Sequence, residues 1–498
     1  MRGIIGEGRK GPAFAICIFL ISLAVLALTV FTSAQLLPLA LAAVATAILS
    51  VAHRSLLRWR TLLGALILVI LFIPIRRYVL PGGLPFQLEP YRLLVAIFIA
   101  FWVTSLLIDP RVRLRRSGLE GPVFLLVFAA LASDALNAGT ISAEYLGNSV
   151  AKGLTFFVSF LLVFYLIVSV TQRIADVTPL LKLLVLGGVV IAVLAVIESR
   201  NGYNPFNQLN SVFPFLKPNF SLKTLPVRGT RLRAYGPAEH PIALSAALAM
   251  LVPFAIYLGQ KTRRRVWWLA AGVITIGCLA TVSRTGVMML LAEALVFVWL
   301  RPAQMKRLWP ALLPVLLAMH FALPGAIGSL RASFFPKGGI VQDQRGYQDT
   351  GRLGDIGPTF KEISHEPLFG RGLGTRILNG RFINDQLVFP NARILDDQWL
   401  ATLLETGLVG AFAWIWIFAR TIRRIGRAAK DDTGDEGWLY VGLVASITAY
   451  GVGMLTYDSF SFIQVTFLFY IFLGFASALL VPAEKRAAVL VPTPVPAG

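Results

Sequence analysis

Two adjacent aspartates, Asp396 and Asp397, lie where a long polar connector meets an apolar helix in "NARILDDQWLATLLETGLVG" (391–410). Aspartate is a preferred residue at a helix N-cap, because its carboxylate accepts hydrogen bonds from the first backbone N–H groups. Successive helical residues point about 100° apart, so only one of the two carboxylates faces a given cavity. The pattern predicts that one aspartate caps the helix and that the other is a candidate base or substrate ligand.

A second polar cluster, "RLRAYGPAEH", holds Arg231, Arg233, Glu239 and His240. A guanidinium binds two phosphate oxygens at once and keeps its charge in an apolar site, which favours these arginines as anion ligands. Contact with anionic lipid headgroups is the alternative. His240 precedes a proline that starts a helix, so a structural hydrogen bond is its favoured role. If it titrates, it is the second candidate base.

Three further charged residues lie in a short turn between apolar segments, in a glycine-rich loop and inside an apolar segment. Arg284, in "TVSRTGVM", either anchors a short turn at the membrane interface or binds a phosphate, and the sequence does not separate the two. Arg371 lies in "EPLFGRGLG", whose glycines allow backbone N–H groups to approach an anion. Glu405 lies inside an apolar segment, and we expect it to hold helices together by a hydrogen bond.

The elements that position these residues are membrane helices. Of the 498 residues, 56% are hydrophobic and only 14% are charged, and the apolar residues form blocks long enough to cross a bilayer. The sequence predicts an all-α polytopic integral membrane protein with about fourteen spans. These are 13–31, 35–52, 61–75, 92–108, 121–135, 153–170, 180–198, 240–258, 266–281, 284–300, 309–323, 398–419, 437–454 and 460–481.

The basic connectors predict how this chain is oriented. Segments 53–60, 111–116, 261–265, 301–307 and 420–430 are rich in arginine and lysine, and they alternate correctly with the spans if both termini are cytoplasmic. The predicted parts are N-terminal helices (1–198), a first outer loop (199–239), helices (240–323), a large outer loop (324–397), C-terminal helices (398–481) and a disordered cytoplasmic tail (482–498). An amphipathic helix is expected within 351–374, with Ile356, Phe360 and Ile363 at helical spacing.

Positive charge on the outer side is the feature that points to a ligand. The net charge of +21 is divided among many short loops, which argues against nucleic acid as a partner. The positive-inside bias accounts for the cytoplasmic arginines but not for those placed outside by this topology. We infer that the outer surface binds an anion. The arginines concerned are Arg228, Arg231, Arg233, Arg352, Arg371, Arg376, Arg381 and Arg393.

Four segments together resemble one family. They are "RLRAYGPAEHPIALSAALAMLVPFAIYL", "CLATVSRTG", "GRLGDIGPTFKEISHEPLFGRGLGT" and "LDDQWLATLLETGLVGAFAWIW". Their order and spacing are similar to those of the O-antigen ligase and O-antigen polymerase superfamily of bacterial envelope glycosyltransferases, over about residues 225–420. The resemblance implies a helical GT-C-like fold and an active site on the outer face of the cytoplasmic membrane.

The resemblance also implies substrates and residue roles. Such enzymes take a saccharide from a polyprenyl-pyrophosphate carrier and transfer it to a glycan or lipid-linked acceptor among membrane lipids, with no cofactor and no metal. The family's pyrophosphate-binding arginines correspond to Arg233 and Arg352, with Arg231, Arg284 and Arg371 as further candidates. The histidine proposed as the base in ligases falls on Asp396, and its neighbouring asparagine falls on Asp397.

Asp396 in place of the family's histidine favours the polymerase-like branch, because a ligase of the lipopolysaccharide type is expected to keep the histidine. A ligase remains the alternative. A transporter or flippase of lipid-linked glycans is the rival from another class, with the aspartates as coupling-ion ligands. A divalent cation held by the paired aspartates is disfavoured, because their side chains diverge.

Overall fold

The computed structural model describes the greater part of the chain after residue 57. The described residues are 58–81, 88–108, 112–171, 173–219, 227–228, 231–308, 317, 321, 328, 356–378, 381–383, 386–388, 391–392 and 395–480. The predicted spans 13–31 and 35–52, the tail 482–498 and Arg352 lie outside these residues, as does almost all of span 309–323. The number of fourteen spans therefore stays a prediction.

Helices dominate the part of the chain that the structure describes. They are α1 (Trp59–Phe72), α2 (Pro90–Ile108), α3 (Glu120–Leu136), α4 (Ala138–Ala143), α5 (Gly147–Val170), α6 (Ile174–Asn201), α7 (Leu209–Val212), α8 (Pro241–Ala249), α9 (Val252–Thr262), α10 (Arg265–Ala280), α11 (Arg284–Leu300), α12 (Pro302–Leu308), α13 (Ile356–Ile363), α14 (Gln398–Asp431), α15 (Gly437–Gly453) and α16 (Ile463–Leu480). Short 3-10 helices cover Pro205–Gln208 and Ser459–Ser461.

Six of the described helices are long and apolar enough to cross a membrane, with α8 and α9 counted as one unit, Pro241–Thr262. Each predicted span from 61–75 to 284–300, and each of the last three, coincides with a helix within a few residues or lies inside a longer one. The described helices are consistent with the expected all-α membrane protein. Long runs of apolar side chains favour helices in a membrane, because a helix satisfies its backbone groups internally.

The centre of the bundle is α16, packed against α5, α8, α14 and α15. Its sequence is apolar all round, as expected for a helix with neighbours on every side. Aromatic rings fill the contact: Tyr450 stacks on Phe469 with ring centroids 4.1 Å apart, and Trp414 lies beside Phe460 and Phe469. The outer helices instead expose apolar side chains, such as Leu107 and Phe124, that suit contact with lipid.

The connectors gather at two opposite ends of the bundle. At one end the hydroxyl of Tyr78 donates to Phe206 O, Arg233 Nε donates to Thr281 O, and the amide of Phe460 donates to the side chain of Gln398. At the other end the basic connectors meet. Their contacts are Arg420 with Gly118 O, Arg263 with Asp435 and Arg301 with Asp432 O.

Short antiparallel strand pairs, which the sequence did not predict, lie in the segments expected to be outer loops. They are β1 (Tyr78–Val79) with β2 (Lys217–Pro218), β3 (Val227–Arg228) with β4 (Arg231–Leu232), β5 (Ile377–Leu378) with β8 (Asn391–Ala392), and β6 (Arg381–Ile383) with β7 (Gln386–Val388). The expected amphipathic helix is present as α13, and Ile363 on its inner side packs with Leu395, Ala401 and Leu404.

Candidate functional site

A cavity of about 520 Å³ opens between α3, α5, α14 and α16, at the end of the bundle where the predicted outer connectors meet. Its lower walls are apolar and include Phe156, Phe160, Trp414 and Tyr470. Its charged side chains are Arg76, Lys152, Arg376, Asp396, Glu405 and Asp458. A cavity with apolar walls and a few converging polar groups is typical of a ligand site.

The two aspartates have separate positions, as the sequence predicted. Asp397 is the N-cap of α14, and its Oδ1 accepts hydrogen bonds from the amides of Trp399 (2.8 Å) and Leu400 (3.1 Å). Asp396 lines the cavity. The helix start therefore places one carboxylate on the backbone and the other where a ligand could reach it.

Helix α14 is broken a short distance below this entrance, at Gly407. The glycine has φ +64°, in the left-handed region, and a Cβ there would lie 2.3 Å from Leu368 O. After the break, the amides of Leu408 and Val409 donate to Pro367 O (2.8 Å) and Leu368 O (3.2 Å) instead of to carbonyls of their own helix. The segment before the glycine-rich turn thus satisfies the N–H groups that the break leaves unpaired.

The glycine-rich turn satisfies the carbonyls on the other side of the break. Leu404 O accepts from the amide of Arg371 (2.9 Å), and Glu405 O accepts from the amide of Gly372 (3.1 Å). Gly370, with φ +67°, lies so close that a Cβ would be 2.5 Å from Leu404 O. The segments "PLFGRGLG" and "ETGLVG" therefore form one backbone joint, which fixes the outer loop to the cavity wall.

Helix α3 holds the same joint from a third side. Ser133 Oγ donates to Glu405 O (2.6 Å), and Asn137 Nδ2 donates to Gly370 O (2.8 Å). Asp134 Oδ1 accepts from the amide of Leu373 (2.6 Å). Asp134 and Asn137 thus bind the glycine-rich turn, and Ser133 binds α14 beside it.

Arg376, just beyond this turn, joins two carboxylates in the cavity wall. Its Nε donates to Glu405 Oε1 (2.8 Å), and its Nη1 lies 2.5 Å from Asp458 Oδ2. Gly374 N also donates to Glu405 Oε1 (3.2 Å), and Ser461 Oγ donates to Asp458. Burial alone would lower the pKa of the Arg376 guanidinium, but the charges of Glu405 and Asp458 raise it above its usual value.

Glu405 therefore has the structural role that the sequence predicted for it, although its partner is the outer loop rather than a neighbouring membrane helix. The glutamate is 3% exposed, so its charge needs the arginine beside it. The ion pair ties the loop to α14 at the level of the cavity.

A second charged group lies on the side of the cavity formed by the connector after α1. Arg76 Nη1 lies 3.4 Å from Glu239 Oε2, and the Arg76 amide donates to Glu89 Oε2 (2.7 Å). Arg92 pairs with the other oxygen of Glu89 at 3.1 Å. Burial raises the pKa of Glu239 to about 7, against the opposing effect of Arg76.

His240 has the structural role favoured from its sequence context. It is the N-cap of α8, and its Nδ1 accepts from the amide of Ile242 (3.2 Å). The ring stacks on Phe462, a residue of the cavity wall, with centroids 5.8 Å apart. His240 itself is not among the described residues that line the cavity.

The arginines selected from the sequence lie elsewhere. Arg231 is in β4, and Arg233 is buried with its Nε on Thr281 O (3.0 Å). Arg284 begins α11. Arg371 Nη1 lies 4.0 Å from Glu362 Oε2. None of these four is among the described residues lining the cavity. Sequence reasoning missed Arg76, Lys152 and Asp458, and it named Arg376 only as one of many outer arginines.

Residues 269–415 match the model of the family described as O-Antigen ligase. The matched segment contains Arg284, Arg376, Asp396 and Glu405, and it includes the joint between the glycine-rich turn and α14. A search of the curated proteins finds no match. Over residues 269–415 the chain is thus similar to the O-antigen ligase family, which supports the superfamily that the sequence motifs indicate.

Proposed function

We propose that the protein is a membrane glycosyltransferase that transfers a saccharide from a polyprenyl-pyrophosphate carrier to a glycan acceptor. The observation that carries the proposal is the position of Asp396. Asp396 belongs to the matched residues 269–415 and lines the cavity, while the neighbouring Asp397 caps the helix. The residue aligned with the proposed base of related ligases is thus the one that a substrate could reach.

The chemistry is a displacement at the anomeric carbon. A hydroxyl of the acceptor attacks that carbon, the bond to the carrier oxygen breaks, and the polyprenyl pyrophosphate leaves with the bonding electrons. Asp396 takes the proton of the attacking hydroxyl as general base. Attack on the face opposite the leaving group inverts the configuration at the anomeric carbon. Protein groups supply the positioning and the charge stabilisation that this step needs.

The apolar part of the cavity supports a lipid-linked donor. Phe156, Phe157 and Phe160 on α5 line it together with Tyr470 on α16. An isoprenoid chain fits between helices whose facing side chains are aromatic and aliphatic, because neither surface must then remain in contact with water. The charged groups lie above these rings at the connector end, where the sugar and phosphates of such a carrier would be.

The distribution of basic connectors supports an outward-facing site. Residues such as Arg263, Arg301 and Arg420 lie at the end of the bundle opposite the cavity. Arginine-rich short loops favour the cytoplasmic side of a membrane protein. We therefore place the cavity at the outer face of the bacterial cytoplasmic membrane.

Asp396 in place of the ligase histidine favours a polymerase of envelope polysaccharide, and a ligase that joins polymer to a lipid or cell-wall acceptor is the second candidate. A deletion strain separates them by gel analysis of surface polysaccharide. Loss of long chains, with a single repeat still attached to its acceptor, indicates a polymerase. Accumulation of unattached polymer indicates a ligase.

The experiment that tests the proposal uses the purified protein in liposomes with a lipid-linked saccharide donor and acceptor. Transfer lengthens the glycan or attaches it to the acceptor, without movement of the donor across the bilayer. Movement of intact lipid-linked sugar with no new glycosidic bond would instead identify a transporter. Parallel reactions with EDTA test the expectation that transfer needs no metal.

A further inference from the structure

The cavity contains three cationic side chains among the described residues, and their charges are not equally available. Arg376 lies between Glu405 and Asp458 at 2.8 and 2.5 Å, so two carboxylates already surround it. It contributes little net positive charge to a ligand. An anion in this cavity therefore needs other partners, because a negative charge is stable away from water only beside unneutralised cations or hydrogen-bond donors.

Lys152 is such a cation. It lies on α5 in the second turn, lines the cavity, and is exposed. Among the described residues it makes no ion pair and no hydrogen bond. Its electrostatic neighbours are Arg76, Arg92, Glu89 and Glu239. An exposed ammonium group without an ion pair, on the lining of a cavity, is a candidate ligand for a negative group.

Arg76 presents a second cation to the same space. Its backbone has φ +65°, and its amide is held by Glu89 Oε2 at 2.7 Å, so the turn after α1 is fixed. Its guanidinium is 42% exposed and meets Glu239 at 3.4 Å through Nη1 alone. The remaining donors of the fork stay available, and both Arg76 and Lys152 line the cavity.

We propose that Lys152 and Arg76 bind the pyrophosphate group of the lipid-linked saccharide. This proposal rests on the proposed function, and it assigns the leaving group to residues outside the matched domain. A lysine supplies a compact charge and an arginine supplies a planar fork, and the two together suit a group with several phosphate oxygens. The leaving group is then held by α5 and the turn after α1, while Asp396 approaches from the start of α14.

The proposal is tested by binding, separately from transfer. The full chain is reconstituted in nanodiscs, and the affinity for farnesyl pyrophosphate is measured by calorimetry for the unaltered protein and for Lys152→Gln, Lys152→Arg and Lys182→Gln. Lys182 is an exposed lysine on α6 that does not line the cavity, so its replacement is a matched control for charge. Thermal unfolding of each variant shows whether it is folded.

We expect Lys152→Gln to weaken binding about tenfold or more, since a charged hydrogen bond is lost. Lys152→Arg should recover most of the affinity, and Lys182→Gln should bind as the unaltered protein does. Equal affinity of a folded Lys152→Gln variant would overturn the proposal. Equally strong competition by a short-chain phosphatidylglycerol would also overturn it, because the site would then be a general headgroup site.

The two proposals fail in different ways. If Lys152 governs farnesyl pyrophosphate binding but the unaltered protein transfers no sugar, the proposed function is wrong. The anion site, formed by Lys152 and Arg76, then stands. If the protein transfers sugar and Lys152→Gln leaves both the KM for the donor and the affinity for farnesyl pyrophosphate unchanged, the function stands and the anion site is wrong.

Discussion

At the scale of the residue, the start of α14 separates two chemically identical side chains. Asp397 uses its carboxylate to accept two backbone hydrogen bonds, and Asp396 lines the cavity. Asp397 has the extended backbone of an N-cap (φ −146°, ψ 111°), which turns its carboxylate toward the first amides of α14, and Asp396 lies one residue before this cap. The residue types predicted the division, and the family resemblance named Asp396 as the candidate base.

Replacing Asp397 tests the capping role. Asp397→Ala should lower the free energy of unfolding by about 1 kcal/mol, because two amides at the start of α14 lose their acceptor. Asp397→Asn keeps an acceptor oxygen and should keep both stability and transfer. Thermal unfolding in detergent and a transfer assay provide the two measurements. A well-folded Asp397→Asn protein without activity would move the base from Asp396 to Asp397.

Glu239 gives the anion site a pH dependence. Burial raises its pKa to about 7, while Arg76 and Arg77 oppose the shift and Glu89 adds to it. Below pH 7 the glutamate is neutral and leaves the charge of Arg76 available. Above pH 7, the ionised carboxylate of Glu239 neutralises the charge of Arg76. Farnesyl pyrophosphate should therefore bind more tightly at pH 6 than at pH 8, beyond the change that its own protonation causes.

Glu239→Gln is the control for this dependence. The amide cannot ionise, so the variant should bind about equally well at both pH values once ligand protonation is subtracted. The same raised pKa means that Glu239 contributes stability fully below its unfolded pKa of about 4.5, and that this contribution is lost as the pH rises through about 7. An unchanged pH profile in Glu239→Gln would exclude Glu239 as the group responsible.

At the scale of the element, the central feature is the joint between the glycine-rich turn and broken helix α14. Four backbone hydrogen bonds cross it, two in each direction, and Arg376 pairs with Glu405 immediately beside it. In an unbroken helix these backbone groups of α14 would bond to one another. Here they bond to the loop, so the loop is held by the same number of hydrogen bonds as a turn of helix. The loop residues of the cavity wall thus share the rigidity of the bundle.

Gly407→Ala tests the joint. A methyl group at φ +64° is strained, and it would lie 2.3 Å from Leu368 O, so we expect a loss of about 1–3 kcal/mol in stability or a failure to fold. Gly272→Ala in α10 is the matched control, because a Cβ there has no atom within 4 Å and alanine favours a helix. Equal melting temperatures for the two variants would contradict the geometry of the joint.

The sequence predicts the helices better than it predicts the joint. Long apolar runs place α1 to α3, α5, α6, α8 to α11 and α14 to α16, and helical spacing of Ile356, Phe360 and Ile363 places α13. Gly407 carries no signal of its own, because a single glycine inside a membrane helix is tolerated. The Arg376–Asp458 pair was also not predictable, since two connectors far apart in the chain come together only in the folded bundle.

At the scale of the whole molecule, the basic connectors and the cavity lie at opposite ends of the bundle. The basic connectors meet around Gly118 and Asp432, while the cavity opens among the connectors after α1, α13 and α15. The predicted topology places the same two sets of connectors on opposite sides of the membrane. The fold and the positive-inside rule thus support a single orientation.

Cysteine labelling tests this orientation. In a background with Cys17→Ser and Cys278→Ser, single cysteines replace Val212, which is 68% exposed at the cavity end, and Arg263, whose side chain is 73% exposed at the other end. An impermeant maleimide applied to spheroplasts should label Val212→Cys directly and Arg263→Cys only after the membrane is opened. The opposite pattern would place the cavity on the cytoplasmic side.

We expect glycosyl transfer to take place in this cavity with Asp396 as the base. The most direct test of this assignment is the rate of glycosyl transfer by the Asp396→Asn protein with purified lipid-linked donor and acceptor. Asparagine keeps the size of the side chain and removes its basicity, so transfer should fall about 100-fold or more while the melting temperature stays close to that of the unaltered protein. Transfer at the full rate by the Asp396→Asn protein would contradict the assignment of Asp396 as the base.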